Sequence, residues 1–392
     1  MIKEQIRTVA EDLGIDAGKT GMLHTEETIK AVSSTISKYG FPLVVDPVMV
    51  AKSGAHLLKP EAMDALENYL LPKATVVTPN RFEAERLSEM QIKNLEDAET
   101  AATRISEMGP KAVVIKGGHL EGRNTVDLLY YEGKFQKFVA PRLNVKTTHG
   151  TGCSFSAAIA AGIAKKLDIP TAVESAKEIV TLGIKFGLNI GKGYGPVNPM
   201  AHLYRESSRC NVLLNLEKAK ELIEATPETA ILVPEVGMNI AMAIPYAENL
   251  QDVAAINGRI AKTSEGAKAV GNAKFGCSSH IAKYILEIVK HDENKTAAVN
   301  MKFSDDILRI LEQWNMAVSF YDRSEEPEEI KNVEGMTIPW GIKEAIKRIG
   351  KAPDAIYHRG GMGKEPMIVL FGKQAYDLAK VAVQLAKETD GK

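Results

Sequence analysis

The stretch Gly191-Lys192-Gly193-Tyr194-Gly195-Pro196-Val197-Asn198-Pro199 is so dense in glycine and proline that neither a helix nor a central strand can run through it. It interrupts a chain of 392 residues, about twice the usual size of one domain, so each side must bury a core of its own. The expectation is one domain over residues 1–204 and another over residues 211–392. Before the break, β-rich runs at Leu43–Val48, Thr75–Thr78 and Ala112–Lys116 alternate with helical patterns at 61–70, 81–89 and 98–108. That alternation predicts a largely parallel sheet with helices on both faces. A hairpin follows, Thr125–Tyr131 and Lys134–Val139 turned by Glu132 and Gly133, and then a small-residue helix at Ser154–Lys166. After the break, strands are expected near Ile231, Arg259, Ala269, Val299, Ala317, Ile356 and Ile368, with helices between them. The fold class is α/β throughout.

Lysine and arginine (49) nearly cancel aspartate and glutamate (50), so no global field draws in nucleic acid or an anionic membrane, and phosphate must be bound locally. Aromatic residues, at 6%, form no stacking series for bases. The opening MIKEQIRTVAEDLGID reads as a charged amphipathic helix rather than a signal peptide, and no apolar run reaches the length of a membrane span. The three cysteines, Cys153, Cys210 and Cys277, show no pairing or metal-ligand spacing. A cytoplasmic protein without membrane or nucleic-acid partners is expected.

Thr148-His149-Gly150-Thr151-Gly152-Cys153 stands immediately before the small-residue helix. Its glycines allow a tight turn, so backbone N–H groups at the helix start can converge on an anion. A thiol at Cys153 would sit where a thiolate is stabilised and could take a proton from a hydroxyl. A glycine-rich cap with a packed cysteine reads equally well. Asn80 and Glu83 share one side of a starting helical turn, as oxygen ligands for Mg²⁺, as a capping box, or as both. Asp46 and Lys116 lie at carboxyl ends of strands, where open α/β sheets bind ligands; each segment could also be a surface turn.

Taken in order, Lys19-Thr20-Gly21-Met22-Leu23, DPVMVAKSGAHLL, VTPNRFEAERL, VVIKGGH, THGTGCSFSAAIA and GPVNP resemble the ribokinase superfamily. The closest resemblance within it is to the hydroxymethylpyrimidine and hydroxymethylpyrimidine-phosphate kinases. The cysteine is diagnostic, because most of the superfamily has aspartate where this branch has Cys153. The resemblance implies a ribokinase-like α/β/α domain that uses ATP and Mg²⁺ for in-line phosphoryl transfer. It further implies that Gly150, Thr151, Gly152 and Cys153 form an anion hole with Cys153 as base. Asn80 and Glu83 would organise Mg²⁺, Lys116 and Asp46 would lie near the phosphates, and Met22 near the pyrimidine. Kinases of this branch are often dimers, so a homodimer is expected. The family opens with a strand, a Gly/Asp loop and a helix, and this chain enters the pattern beyond them. The expectation is a kinase domain lacking its first elements, with an open sheet edge and impaired phosphorylation.

Beyond residue 211, LVPEVGMNIAMAIP, DVAAINGRIA, AVGNAKFGCSSHIAKYIL, NMKFS, SFYDRSEEPEE and GGMGKEPMIVLFG resemble the ThiN type of thiamine-phosphate synthase. The fold implied is a three-layer α/β/α arrangement like that of class II aldolases, and the family's catalytic arginine and histidine fall on Arg259 and His280. Joining a pyrimidine methylene to a thiazole nitrogen expels pyrophosphate, so the site must stabilise a polyanionic leaving group. Arg259 offers a fork of donors to phosphate, and Ser278 and Ser279 offer hydroxyl and N–H donors at a helix start. His280 would bind phosphate when protonated or assist a proton shift on the aminopyrimidine. The loops Asp322–Pro327 and Gly360–Pro366 could contact a second phosphate, with Lys364 the best candidate, or be ordinary connections. The competing reading is a thiamine-responsive sensor with a degenerate kinase half.

Overall fold

The computed structural model describes residues 1–50, 57–117, 123–331, 333, 335–361 and 363–390. Residues 51–56 of the DPVMVAKSGAHLL segment, Gly118 and His119 of the VVIKGGH segment, and Met362 lie outside the described residues. The chain divides into two compact units, Met1–His202 and Leu203–Lys392.

The first unit is built on a six-stranded sheet in chain order: β1 (Gly18–Thr20), β2 (Leu43–Val45), β3 (Val76–Val77), β4 (Ala112–Ile115), β5 (Asn124–Tyr131) and β6 (Lys134–Pro141). The first four strands are parallel, and β5 and β6 close the sheet as an antiparallel hairpin. Glu132 and Gly133 both take positive φ at its turn, as a two-residue hairpin loop requires. β-strand alternation separates two apolar layers. Leu43, Val45, Val77, Val113 and Ile115 face the helices Glu26–Tyr39, Arg81–Ser88 and Leu95–Ser106. Val44, Val76, Ala112 and Val114 face the helices Thr151–Ala164 and Ile169–Lys185. The helix expected at 61–70 is an irregular run of short helical turns from Pro60 to Lys73. The opening helix, Ile2–Asp12, is amphipathic as expected but buries none of its residues.

The second unit carries a seven-stranded sheet, mostly antiparallel. Its strands are β7 (Asn239–Ala243), β8 (Val253–Ile256), β11 (Ala273–Phe275), β12 (Ala297–Lys302), β13 (Val318–Phe320), β14 (Ala355–His358) and β15 (Met367–Gly372), in the order β11-β8-β7-β12-β15-β14-β13. A separate two-stranded ribbon joins β9 (Ile260–Thr263) to β10 (Gly266–Ala269). Ile240, Val299, Ile368 and Leu370 face one helical layer, which contains Ala201–Glu224, Asp305–Gln313 and Ala375–Asp390. Ala241, Ala298, Val369 and Phe371 face the other, which contains Ser279–Ile288 and Thr337–Ile349. Both units are therefore three-layer α/β/α arrangements.

The strand expected near Ile231 is a helical turn, Pro227–Leu232, because Pro227 supplies a helix-starting φ. Residues 205–210, left between the two expected domains, lie within a helix that runs from Ala201 to Glu224. Ile159 and Ile285 are each fully buried on a helix that packs against its unit's sheet, so truncating either should cost about 2–5 kcal/mol. Calorimetry of Ile159→Ala and Ile285→Ala is expected to show each variant lowering a different one of two thermal transitions.

Candidate active sites

In the first unit the carboxyl ends of β2, β3 and β4 meet the start of the helix Thr151–Ala164. Lys116, just past β4, donates to Asp46 Oδ1 at 2.7 Å, and the Thr78 hydroxyl approaches the same oxygen at 3.4 Å. The pair is largely buried, with side-chain exposures of 16% and 3%. A Cβ added to Gly152 would lie 3.4 Å from Lys116 Nζ and 3.5 Å from Asp46 Oδ2, in ordinary contact, so the helix's first turn lies beside the pair. Gly150 caps the helix in the left-handed conformation, and the Thr151 hydroxyl donates to Thr148 O at 2.8 Å. Asp46, Lys116, Gly150, Thr151 and Gly152 thus come together. Cys153 follows on the same turn and is exposed.

Segments far apart in the chain hold this loop. His149 N–H donates to Gly195 O and Val197 N–H to His149 O, both at 3.0 Å, so the breaker stretch is a wall of the site as well as a boundary. Behind Lys116, Asp127 accepts Gly117 N–H at 2.8 Å and pairs with Lys177 at 2.9 Å. Gly117 must be glycine, since a Cβ would stand 1.8 Å from Val126 O. Asp127 and Lys177 escaped the sequence reading because their partners are ten and more residues away with no local motif.

Asn80 and Glu83 form a reciprocal capping box: Glu83 N–H donates to Asn80 Oδ1 at 3.0 Å, and Asn80 N–H donates to Glu83 Oε2 at 2.7 Å. Burial, opposed by the Lys116 charge, raises the Glu83 carboxyl to about 7. Among the described residues no three His, Cys, Asp or Glu side chains cluster to hold a metal. The side-chain oxygens of Asn80 and Glu83 are of the kind that could hold Mg²⁺, which takes oxygen ligands. Met22 is left 61% exposed just beyond β1. The small cavity beside it, lined by Thr20, Gly21, Val45 and Asp46 among others, has a volume of about 10 Å³, room for a water molecule rather than a pyrimidine.

In the second unit, Asn257-Gly258-Arg259 turns between β8 and β9, with Gly258 at φ 78° and Arg259 at φ 70°. A left-handed arginine costs energy, and the surroundings impose it. The Asn239 side chain bonds both N–H and C=O of Ile256, Asn300 donates to Gly237 O, and the Arg259 guanidinium donates to Val236 O. Glu365 accepts N–H groups from Glu235 and Val236 at 3.1 and 3.2 Å, tying the Gly360–Pro366 loop to that turn. Ser278 stands at the N-cap of the helix Ser279–Ile288 without a capping bond from its hydroxyl, and His280 follows in the first turn.

His280 keeps an exposed edge, yet the protein around it and four cations, Arg259, Lys364, Lys283 and Arg323, push its imidazole down to about 4. A shift in that direction favours the uncharged imidazole and so the proton-transfer reading of His280 over the phosphate-binding one. Its ring meets Tyr284 edge-on, the Tyr284 and Tyr321 hydroxyls bond each other at 2.9 Å, and Tyr321 packs on His358. His358, buried and accepting Gly360 N–H at Nδ1, is likewise lowered to about 4 by burial, Arg323 and His280. Lys283 gave no signal in the sequence because a lysine one turn along a helix is ordinarily solvated.

The fold defines a two-unit α/β protein with a cluster of charged side chains in each unit. A family model for phosphomethylpyrimidine kinase matches residues 1–198, and one for thiamine-phosphate synthase ThiN matches residues 215–384. A bifunctional thiamine biosynthesis protein ThiDN of Methanocaldococcus jannaschii is 33% identical over 97% of this chain and 84% of its own length. A hydroxymethylpyrimidine/phosphomethylpyrimidine kinase of Bacillus subtilis is 44% identical over 51% of this chain and 74% of the relative. A thiamine-phosphate synthase ThiN of Methanothermobacter thermautotrophicus is 40% identical over 44% of this chain and 92% of the relative. The chain belongs to the bifunctional ThiDN family of thiamine biosynthesis, joining a phosphomethylpyrimidine kinase unit to a ThiN unit.

The two sites carry opposite pH signatures. Folded Glu83 holds its proton up to about 7 against an ordinary 4.5, so its stabilisation is full below 4.5 and lost as pH rises through 7. Folded His358 resists protonation down to about 4 against an ordinary 6.5, so its contribution is full above 6.5 and lost as pH falls through 4. Metal-free melting curves across this range should therefore flatten on the alkaline side for Glu83→Gln and on the acid side for His358→Gln, each in its own unit.

Proposed function

We propose that the first unit phosphorylates hydroxymethylpyrimidine and its monophosphate from ATP, and that the second joins hydroxymethylpyrimidine diphosphate to thiazole phosphate, releasing pyrophosphate and forming thiamine phosphate. The observation that carries the synthase half is that the charges of Arg259, Lys364, Lys283 and Arg323 all act on His280 and, after burial, push its imidazole down. Such a cluster attracts a diphosphate and stabilises the charge that grows on it as the carbon–oxygen bond breaks. Arg259, held in an imposed turn, offers a directed donor fork, and the Ser278 hydroxyl and the helix start offer further donors. A neutral His280 can accept or donate a proton at the aminopyrimidine without competing for the phosphates.

In the kinase half, Lys116 at the mouth of the site, the turn from Gly150 to Gly152 and Cys153 carry the reading. The backbone turn is suited to the transferring phosphoryl group, Lys116 to its neighbouring phosphate, and Cys153 to the acceptor hydroxyl's proton. Mg²⁺ when bound neutralises phosphate charge, and Asn80 and Glu83 are the side chains suited to orient it through water. The sensor reading gains no observation in its favour.

Purified chain given both preformed substrates without ATP should release pyrophosphate and thiamine phosphate. In that assay Arg259→Ala and His280→Ala should each cost at least about tenfold in turnover, with Arg259→Lys recovering only part. Folded protein that binds thiamine phosphate yet turns nothing over at any Mg²⁺ concentration would replace the synthase by a sensor. Cys153→Ala should lower kinase turnover while nucleotide binding survives, and unchanged turnover would make Cys153 a packing residue.

A further inference from the structure

Glu326 has no part in the reading above, and its chemistry is unusual. It is 4% exposed, and its Oε1 is one of two buried side-chain oxygen or nitrogen atoms among the described residues that lack any hydrogen-bond partner. Its other oxygen, Oε2, lies 3.6 Å from the Arg323 guanidinium, beyond hydrogen-bonding distance though close enough for charge to balance charge. A buried carboxylate with an unanswered lone pair is costly, and such a group persists where a ligand supplies the missing donor.

Its partner Arg323 joins it electrostatically to the His280 cluster. The Arg323 charge acts on His280, Tyr284, Tyr321 and His358, and the Glu326 charge acts on Tyr321. Contacts agree with this: Tyr321, two residues before Arg323, bonds Tyr284 and packs on His358, and Tyr284 meets His280. Gly361 packs against the Arg323 side chain, linking the same corner to the loop that carries Lys364.

The two substrates differ sharply in what they offer such a group. Phosphate and diphosphate present acceptors and negative charge, which Glu326 repels. The thiazole ring of thiazole phosphate carries no N–H. The exocyclic amine of the aminopyrimidine is the one N–H donor in either molecule. We propose that Glu326 selects the 4-aminopyrimidine ring, its free Oε1 accepting an N–H of the exocyclic amine while the cations take the diphosphate. This assignment rests on the synthase reading and adds to it an orientation: ring toward Tyr321 and Glu326, diphosphate toward Arg259 and Lys364.

The test is equilibrium binding to the full chain, by titration calorimetry, of thiamine phosphate and of oxythiamine phosphate, in which a carbonyl replaces the amine. Wild-type protein should prefer thiamine phosphate by about tenfold or more, because the carbonyl would face a carboxylate. Glu326→Gln presents an amide N–H to that carbonyl, so the preference should shrink or reverse. A merely structural role would weaken both ligands alike and leave the ratio unchanged, which would overturn the proposal. Glu326→Asp, which withdraws the carboxylate by one methylene, should lose the preference in the same way if Glu326→Gln does not fold. Wild-type protein that binds both compounds equally defeats the proposal and leaves the synthase reading standing; binding of neither at millimolar concentration defeats both.

Discussion

A charge removed from water must be answered by another charge or by a full set of hydrogen bonds, and both sites of this protein are organised by that requirement. Lys116 and Asp46 answer each other across two strand ends. Asp127 and Lys177 do so one layer behind, with Gly117 N–H using the remaining carboxylate oxygen. Removing one partner from either pair would strand the other, so these pairs fix geometry more than they add stability. The turn carrying Lys116 is held from behind by Asp127, and the helix start opposite is held by the Gly195–Val197 wall. Neither side of the site depends on its own local sequence alone.

The second unit solves the same problem incompletely. The charges of four cations act together on one histidine, and one buried carboxylate has a single guanidinium at 3.6 Å. A diphosphate would answer the cations, and an amine the carboxylate. The buried asparagines Asn239 and Asn300 and the Glu365 bridge supply the rigidity that keeps Arg259 in its left-handed turn.

Much of this was legible in the chain. The β-rich runs at 43–48, 75–78 and 112–116 sit where strands β2, β3 and β4 form, and the hairpin turn at Glu132-Gly133 was readable from its residues. The strands β7 and β8, Asn239–Ala243 and Val253–Ile256, escaped notice because their alanines have weak strand preference and gain their place from burial on both faces. Asp46, Lys116, Asn80, Glu83 and the Gly150–Cys153 turn were visible as motifs, since each rests on a strand end or helix start with a local signature. Lys283, Glu326 and His358 were not singled out as site residues, because what distinguishes them is which distant charges they face.

The sequence by itself determined the two-part α/β organisation, the glycine-rich helix starts and the candidate residues carried on them. These depend on periodicity, breakers and capping, all set by neighbours within a few positions. Tertiary structure alone decided that Glu83 holds its proton toward neutrality, that His280 is pushed toward its uncharged form, and that Glu326 lacks a donor. Each of those is a sum of burial and Coulomb interactions with residues brought near by folding. Such sums fall off with distance in space and are blind to distance along the chain.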